Sequence, residues 1–99
     1  MSLTIDMGRD QKIGGFSYLP SSDAVGAVDT YRFETSLDGR RWTAAADGRF
    51  GNIVNDPVLQ EVAFAPVTAR YFRFTALKVL KGPVARVAEI SVLPVETEH

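Results

Sequence analysis

The side chains able to move protons or attack bonds are few in this sequence. His99 is the only histidine and closes the chain. A general base must be held in hydrogen-bond geometry, and a terminal residue is poorly placed for that. The serines have no histidine to activate them, and none sits in a G-x-S-x-G turn. Gly8, Gly14 and Gly15 lack the G-K-[ST] ending with which a phosphate loop grips its ligand. Cysteine is absent, which removes disulfides, thiolate zinc ligands and thiol nucleophiles together.

Carboxylates need separate attention, because a glycosidase can work with two of them. Asp10, Asp38 and Asp47 fall in turn-like stretches, and Glu34 and Glu61 take solvent-facing strand positions, so a solvated surface accounts for them. Glu89 interrupts an apolar stretch. Alternation turns it away from Ala88 and Ile90, so exposure explains it; a metal or polar-network role is the alternative. Trp42 and Tyr31 could stack on a sugar ring through their aromatic faces. Their place on or beside alternating strands reads instead as core. Phe50 is the one aromatic in a loop-like stretch and is therefore the better ligand candidate.

The bulk properties narrow the class. At 99 residues the chain is one domain or a piece of one. Its net charge is −1, and its 11 Lys and Arg residues form no block longer than Arg40-Arg41. Nucleic-acid and membrane-surface binding both call for a basic stripe or patch, so neither is expected. No apolar run reaches the ~18 residues of a membrane-spanning helix. Met1-Ser2-Leu3 leads straight into a strand-like stretch with no signal-peptide pattern. The expectation is a fragment of a longer protein, secreted or periplasmic.

The elements that would position these residues are strands. Apolar residues alternate or run in short blocks, and turn signals recur about every ten residues, as in an all-β sandwich or barrel. Leu3 to Met7 reads as a strand ending at Gly8-Arg9-Asp10. Ile13 to Leu19 reads as the next, stopped by Pro20. Ser21 to Asp29 reads as a loop. In Thr30 to Ser36, Tyr31, Phe33 and Thr35 share one face, opposite Arg32, Glu34 and Ser36. Asp38-Gly39 supplies a positive-φ hairpin turn, and Trp42 opens the return strand. Asp47 to Pro57 reads as a second loop. Gln60 to Phe64 reads as a short strand closed by Ala65-Pro66, and Arg70 to Leu77 alternates again with Phe72, Phe74 and Ala76 on one face. Leu80 to Pro83 is a third loop, Val87 to Leu93 the last strand, and Pro94 to His99 a polar tail expected to fray.

Several of these stretches together carry a resemblance. Ile5-Asp6-Met7-Gly8 with Lys12-Ile13-Gly14-Gly15-Phe16-Ser17-Tyr18-Leu19-Pro20 is similar to the "I-D-L-G … I-x-G-[FL]-x-Y-x-P" segment of discoidin domains, also called coagulation factor V/VIII type C domains. Tyr31 to Trp42 resembles their "Y-x-[FV]-x-x-S-x-D-G-x-x-W" hairpin. Ala69 to Phe74 resembles "A-R-Y-[IV]-R-[LF]", and Ala88 to Val92 the closing "A-E-[IL]-x-[VF]". The four occur in order over nearly the whole chain. The resemblance implies an all-β, antiparallel β-sandwich: a discoidin-like jelly roll of the galactose-binding type, truncated at its N-terminus, spanning residues 1–99. It also implies a non-catalytic carbohydrate-binding module appended to a bacterial glycoside hydrolase, most similar to the C-terminal domains of α-L-fucosidases.

On that resemblance a terminal galactose- or fucose-type sugar would meet the end loops at Ser22, Asp23, Phe50, Asn52 and Lys81. The implied metal is calcium at Ala88 and Glu89. It is incomplete here, because the family's other oxygens come from an N-terminal loop that this chain lacks, and calcium takes about six to eight. The family's "Y-x-P-R-Q-D" loop reads Tyr18-Leu19-Pro20-Ser21-Ser22-Asp23, so Ser21 replaces an arginine often used for ligand contact. The alternative is a structural accessory domain packed on the parent's catalytic glycosidase domain. A protein- or lipid-binding discoidin domain of the eukaryotic kind is more distant, since those are disulfide-closed. Missing N-terminal strands would leave a sheet edge and core uncovered, so a homodimer is expected.

Overall fold

A computed structural model describes residues 2–20, 27–50, 59–80 and 89–95. Among them there are five strands and no helix: β1 (Ser2–Leu19), β2 (Ala27–Ser36), β3 (Thr43–Arg49), β4 (Gln60–Leu80) and β5 (Glu89–Pro94). They form one hydrogen-bonded antiparallel sheet in the order β3-β2-β4-β1-β5.

Two strands are longer than the sequence reading allows. Gly8-Arg9-Asp10 does not end β1, and Ala65-Pro66 does not end β4. Between the pairs Asp6–Tyr71 and Gln11–Ala69, the residues Met7, Gly8, Arg9 and Asp10 stand opposite Arg70 alone. Such a bulge bends a strand without ending it. Gly8 takes φ 85° there, and its N–H donates to Asp6 Oδ1 at 2.8 Å. Pro66 is tolerated because it falls in the register shift between the pairs Ile13–Val67 and Gly15–Ala63, where the ladder is already interrupted.

The bend folds the sheet over itself. Phe64 and Phe74 are ten residues apart in β4, which is about 33 Å of extended strand. Phe74 is the backbone partner of Phe33. The Phe64 ring nevertheless lies 5.6 Å from the Phe33 ring. So β4 doubles back, and β1 with it. One layer holds β3, β2, the second half of β4 and the start of β1. The other holds the first half of β4, the second half of β1, and β5. This is the sandwich expected from sequence, built from one rolled sheet whose corner strands serve both layers.

Aromatic rings fill the space between the layers. Phe16 of one layer stacks on Phe33 of the other at 4.4 Å with planes 1° apart. Tyr18 stacks on Phe74 at 5.6 Å. Ile13, Phe16, Tyr18, Val28, Phe33 and Phe74 are fully buried, each worth on the order of 2–3 kcal/mol of transfer free energy for a large side chain. Tyr31, Phe33 and Thr35 all face inward, as do Phe72, Phe74 and Ala76, which bears out the alternation read in both strands. β2 starts earlier than expected: Val28 and Asp29 belong to it and are buried.

The hairpin sits where Asp38-Gly39 places it. Gly39 has φ 76°, a region in which other residues are strained. Ser36 Oγ accepts from the Gly39 N–H at 2.8 Å, and Asp38 Oδ1 accepts from the N–H groups of Arg40 and Arg41 at 2.8 and 2.9 Å. Trp42 is not a core anchor. It lies outside, with the Arg73 guanidinium 4.3 Å above its ring, and Arg73 Nε donates to Glu34 at 3.0 Å.

Candidate functional site

The register brings every long connection to one end of the sandwich. Leu19 pairs with Glu89, Tyr18 with Gln60, Ala27 with Leu80 and Thr30 with Arg49. Because β4 folds back, both of its ends arrive there. The three connections, residues 20–26, 50–59 and 81–88, therefore leave from a common platform. Ser22, Asp23, Asn52, Lys81 and Ala88, expected on sequence grounds to contact sugar or calcium, lie outside the described residues.

The platform itself is well defined. The Tyr18 hydroxyl accepts from the Val28 N–H at 3.0 Å, and burial pushes its pKa above the ordinary phenol value. The Phe50 N–H donates to the Asp29 carbonyl at 2.8 Å, which ties the end of β3 to the start of β2. Phe50 is 4% exposed. Its ring stacks on Tyr31 at 4.4 Å and on Tyr18 at 5.1 Å. It is a core residue and presents no open face to a sugar. Glycine and asparagine follow it, as in a loop, but the backbone bond to Asp29 holds it in.

A polar pair at this end was not singled out from sequence. Asp29 has a side chain only 7% exposed, and it accepts from Arg49 Nε at 3.1 Å and from the Thr30 hydroxyl at 3.0 Å. Burial raises its carboxyl pKa, but the bonds from Arg49 and Thr30 outweigh that and hold it below the usual carboxylate range. The Arg49 side chain is 70% exposed. Asp29 thus fixes Nε of a guanidinium on a largely exposed side chain, and a guanidinium is a donor group suited to sugar hydroxyls. The available signal was an Asp directly before an alternating strand.

Glu89 is exposed at the head of β5, as alternation predicts. Among the described residues no three acidic or histidine side chains group as a metal site. With Ala88 outside them, the described residues do not by themselves fit a calcium cage. Asp6, Asp29 and Glu34 are each paired with an arginine, which suits structural carboxylates better than a catalytic pair. At the opposite end, an open cleft of about 300 Å³ lies between the hairpin and the β4 corner, lined by Thr35, Leu37, Asp38, Arg41, Val67 and their neighbours. Its one carboxylate, Asp38, is engaged by the turn.

The described strands form an antiparallel sandwich with an aromatic base at the end from which residues 20–26, 50–59 and 81–88 depart. The chain belongs to the F5/8 type C domain family, whose model matches residues 1–90. Among solved structures it is similar to a glycoside hydrolase family 29 member from an unknown rumen bacterium, at 32% identity and TM-score 0.88 over 95% of this chain and 17% of that one. A proposed α-L-fucosidase from Bacteroides ovatus matches at 36% identity and TM-score 0.82, over 94% and 17%. The Clostridium perfringens module CpGH89CBM32-5, solved with GalNAc-β-1,3-galactose, matches at 27% and TM-score 0.83, over 93% and 64%. The chain therefore spans a small part of the two larger proteins and under two thirds of that module. No curated protein sequence matches it.

Proposed function

We propose that this domain is a non-catalytic carbohydrate-binding module of a bacterial glycoside hydrolase of the α-L-fucosidase kind, taking a terminal galactose- or fucose-type sugar at its loop end. The observation that carries the reading is the convergence of three long connections on one rigid platform, in a chain of this family. Ser22, Asp23, Asn52 and Lys81 fall within those connections in sequence, and Arg49, the last residue of β3, adds a largely exposed guanidinium at the same end. The parent protein would be secreted or periplasmic, where its glycan substrates are met.

The test is a glycan array followed by calorimetry with the hits. Binding to terminal galactose or fucose is expected, with loss in Asp23→Ala or Asn52→Ala and little change in melting temperature. A second reading has one observation in its favour: Phe50 is buried, so the expected aromatic platform is absent from the described part of this end. In that reading the domain is a structural accessory that packs on the catalytic domain. An array with no retained glycan, together with tight association between this chain and the separately expressed catalytic domain, would favour it.

A further inference from the structure

An open cleft runs along one side of the sandwich, away from the loop end. Among the described residues it lies between β3, the outermost strand of one layer, and the first half of β4, the border of the other. The start of β1 is at the opposite border of the first layer. Two hollows of about 300 and 240 Å³ share Thr35, Thr43 and Val67, so they form one continuous cleft. That is the small end of the range of about 300–1,000 Å³ in which ligand sites fall, and it suits a single ring.

Thr35 forms the floor. It is 3% exposed and faces inward from β2, yet its hydroxyl has no hydrogen-bond partner among the described residues. No side-chain oxygen or nitrogen among them is both sealed and unbonded, so the Thr35 hydroxyl opens into the cleft that it lines. Leaving such a group unpaired is costly, and a ligand hydroxyl would supply the bond. Leu37, Pro66 and Val67 give the walls their apolar surface. The hydroxyls of Thr43 and Thr68 can donate or accept. Arg41 is exposed, and its guanidinium is in no ion pair among the described residues. Asp38 takes bonds from Ser36, Arg40 and Arg41 on Oδ1 alone, which leaves Oδ2 to accept. One guanidinium and one carboxylate cancel, so the cleft selects neither an anion nor a cation.

We propose that this side cleft is a binding site for one neutral sugar ring, separate from the loop end. The match is group by group. Hydroxyls of a pyranose both donate and accept, so they answer the three threonines, the Arg41 guanidinium and Asp38 Oδ2 together. The C–H face of the ring lies on Leu37 and Val67. A zwitterion such as glycine would use the two charges and leave the Thr35 hydroxyl unmet. A charged sugar would meet a group of its own sign as well as its opposite. The site stands apart from the loop-end reading, since either can be filled while the other is empty.

Amide shifts in NMR titrations of the intact chain with methyl glucopyranoside and methyl galactopyranoside test it. Saturable shifts are expected at Ser36, Asp38, Thr43 and Thr68 at about millimolar sugar, as weak as so small a ligand implies. Thr35→Val keeps the shape and deletes the hydroxyl. It should weaken binding about fivefold, with a melting temperature no lower than the parent's, because the hydroxyl it removes has no partner in the empty cleft. Arg41→Gln alters an exposed side chain and should weaken binding about tenfold. Neither variant should change the shifts at Asp29 and Phe50, which report the loop end. No shifts at the side cleft, whatever happens at the loop end, would overturn the proposal. Undiminished binding in either variant would overturn it as well, and so would tighter binding of methyl glucuronide or glycine, since the cleft would then be selecting charge.

Discussion

Replacing Phe50 by alanine separates two roles that predict opposite measurements. In the structure the ring is 4% exposed, stacked on Tyr31 and Tyr18, and set edge-on to Phe16 at 6.4 Å. Truncation removes the transfer free energy of the ring and leaves a cavity between stiff aromatic neighbours that cannot collapse into it. Buried Phe→Ala changes of this type cost about 3–5 kcal/mol. Domains of this size have about 5–15 kcal/mol in all, so the variant should still fold in the cold. Its melting midpoint should drop by more than about 12 °C, since each kcal/mol moves a small domain by roughly 4–8 °C. Thermal circular dichroism gives the shift, and calorimetry with a bound sugar gives the affinity at a temperature where the variant is folded. The burial argument expects a large loss of stability and a modest loss of affinity. A variant that melts like the parent but no longer binds sugar would refute it, because that is how an exposed stacking platform behaves.

Four further outcomes follow from the same geometry. Gly39→Val should cost more than ~1 kcal/mol in chemical denaturation, since a β-branched residue resists positive φ; its Cβ would also arrive 3.5 Å from the Tyr71 ring. Backbone hydrogen bonds from Arg41 and Arg40 hold the Asp38 carboxyl at about 2, against 3.8 for the free group. The folded state therefore favours the ionised form, and this contribution is present above the free value and lost as the pH falls toward the folded one. The melting midpoint should decline more steeply over that range in the parent than in Asp38→Asn. The isolated chain should hydrolyse no aryl glycoside, and turnover abolished by changing one carboxylate would contradict this. Calcium should bind weakly, with Glu89 its best ligand here, and calorimetry giving micromolar affinity would show that other oxygens complete the site.

The strands were legible where the information is local. In β2 and in the second half of β4, period-two alternation alone identifies the inward residues, because one face meets the core and the other meets water. The joining of Leu3–Met7 to Ile13–Leu19 was not legible. Gly8-Arg9-Asp10 has the composition of a turn, and whether the chain reverses or merely bends there depends on Arg70, which is remote in sequence. Trp42 was misplaced because a place beside an alternating strand, just past a hairpin turn, does not say which face of the sheet the ring takes. At the candidate site the family pattern pointed to the end loops, whose residues lie outside the described ones; the register shows only that the strand ends flanking them lie together. The pattern could not show that Asp29 is buried against Arg49, since that pairing exists only once β2 and β3 lie side by side.

The rolled sheet also bears on how the molecule comes apart. A sandwich of two separate sheets can in principle lose one and keep the other. Here β4 and β1 each run through both layers, so neither layer can melt without dragging the other with it. Unfolding should behave as a single cooperative unit, with only the outer strands β3 and β5 able to fray on their own. A longer protein carrying such a domain would keep both layers or lose both, and partial opening to proteases would be confined to β3 and β5.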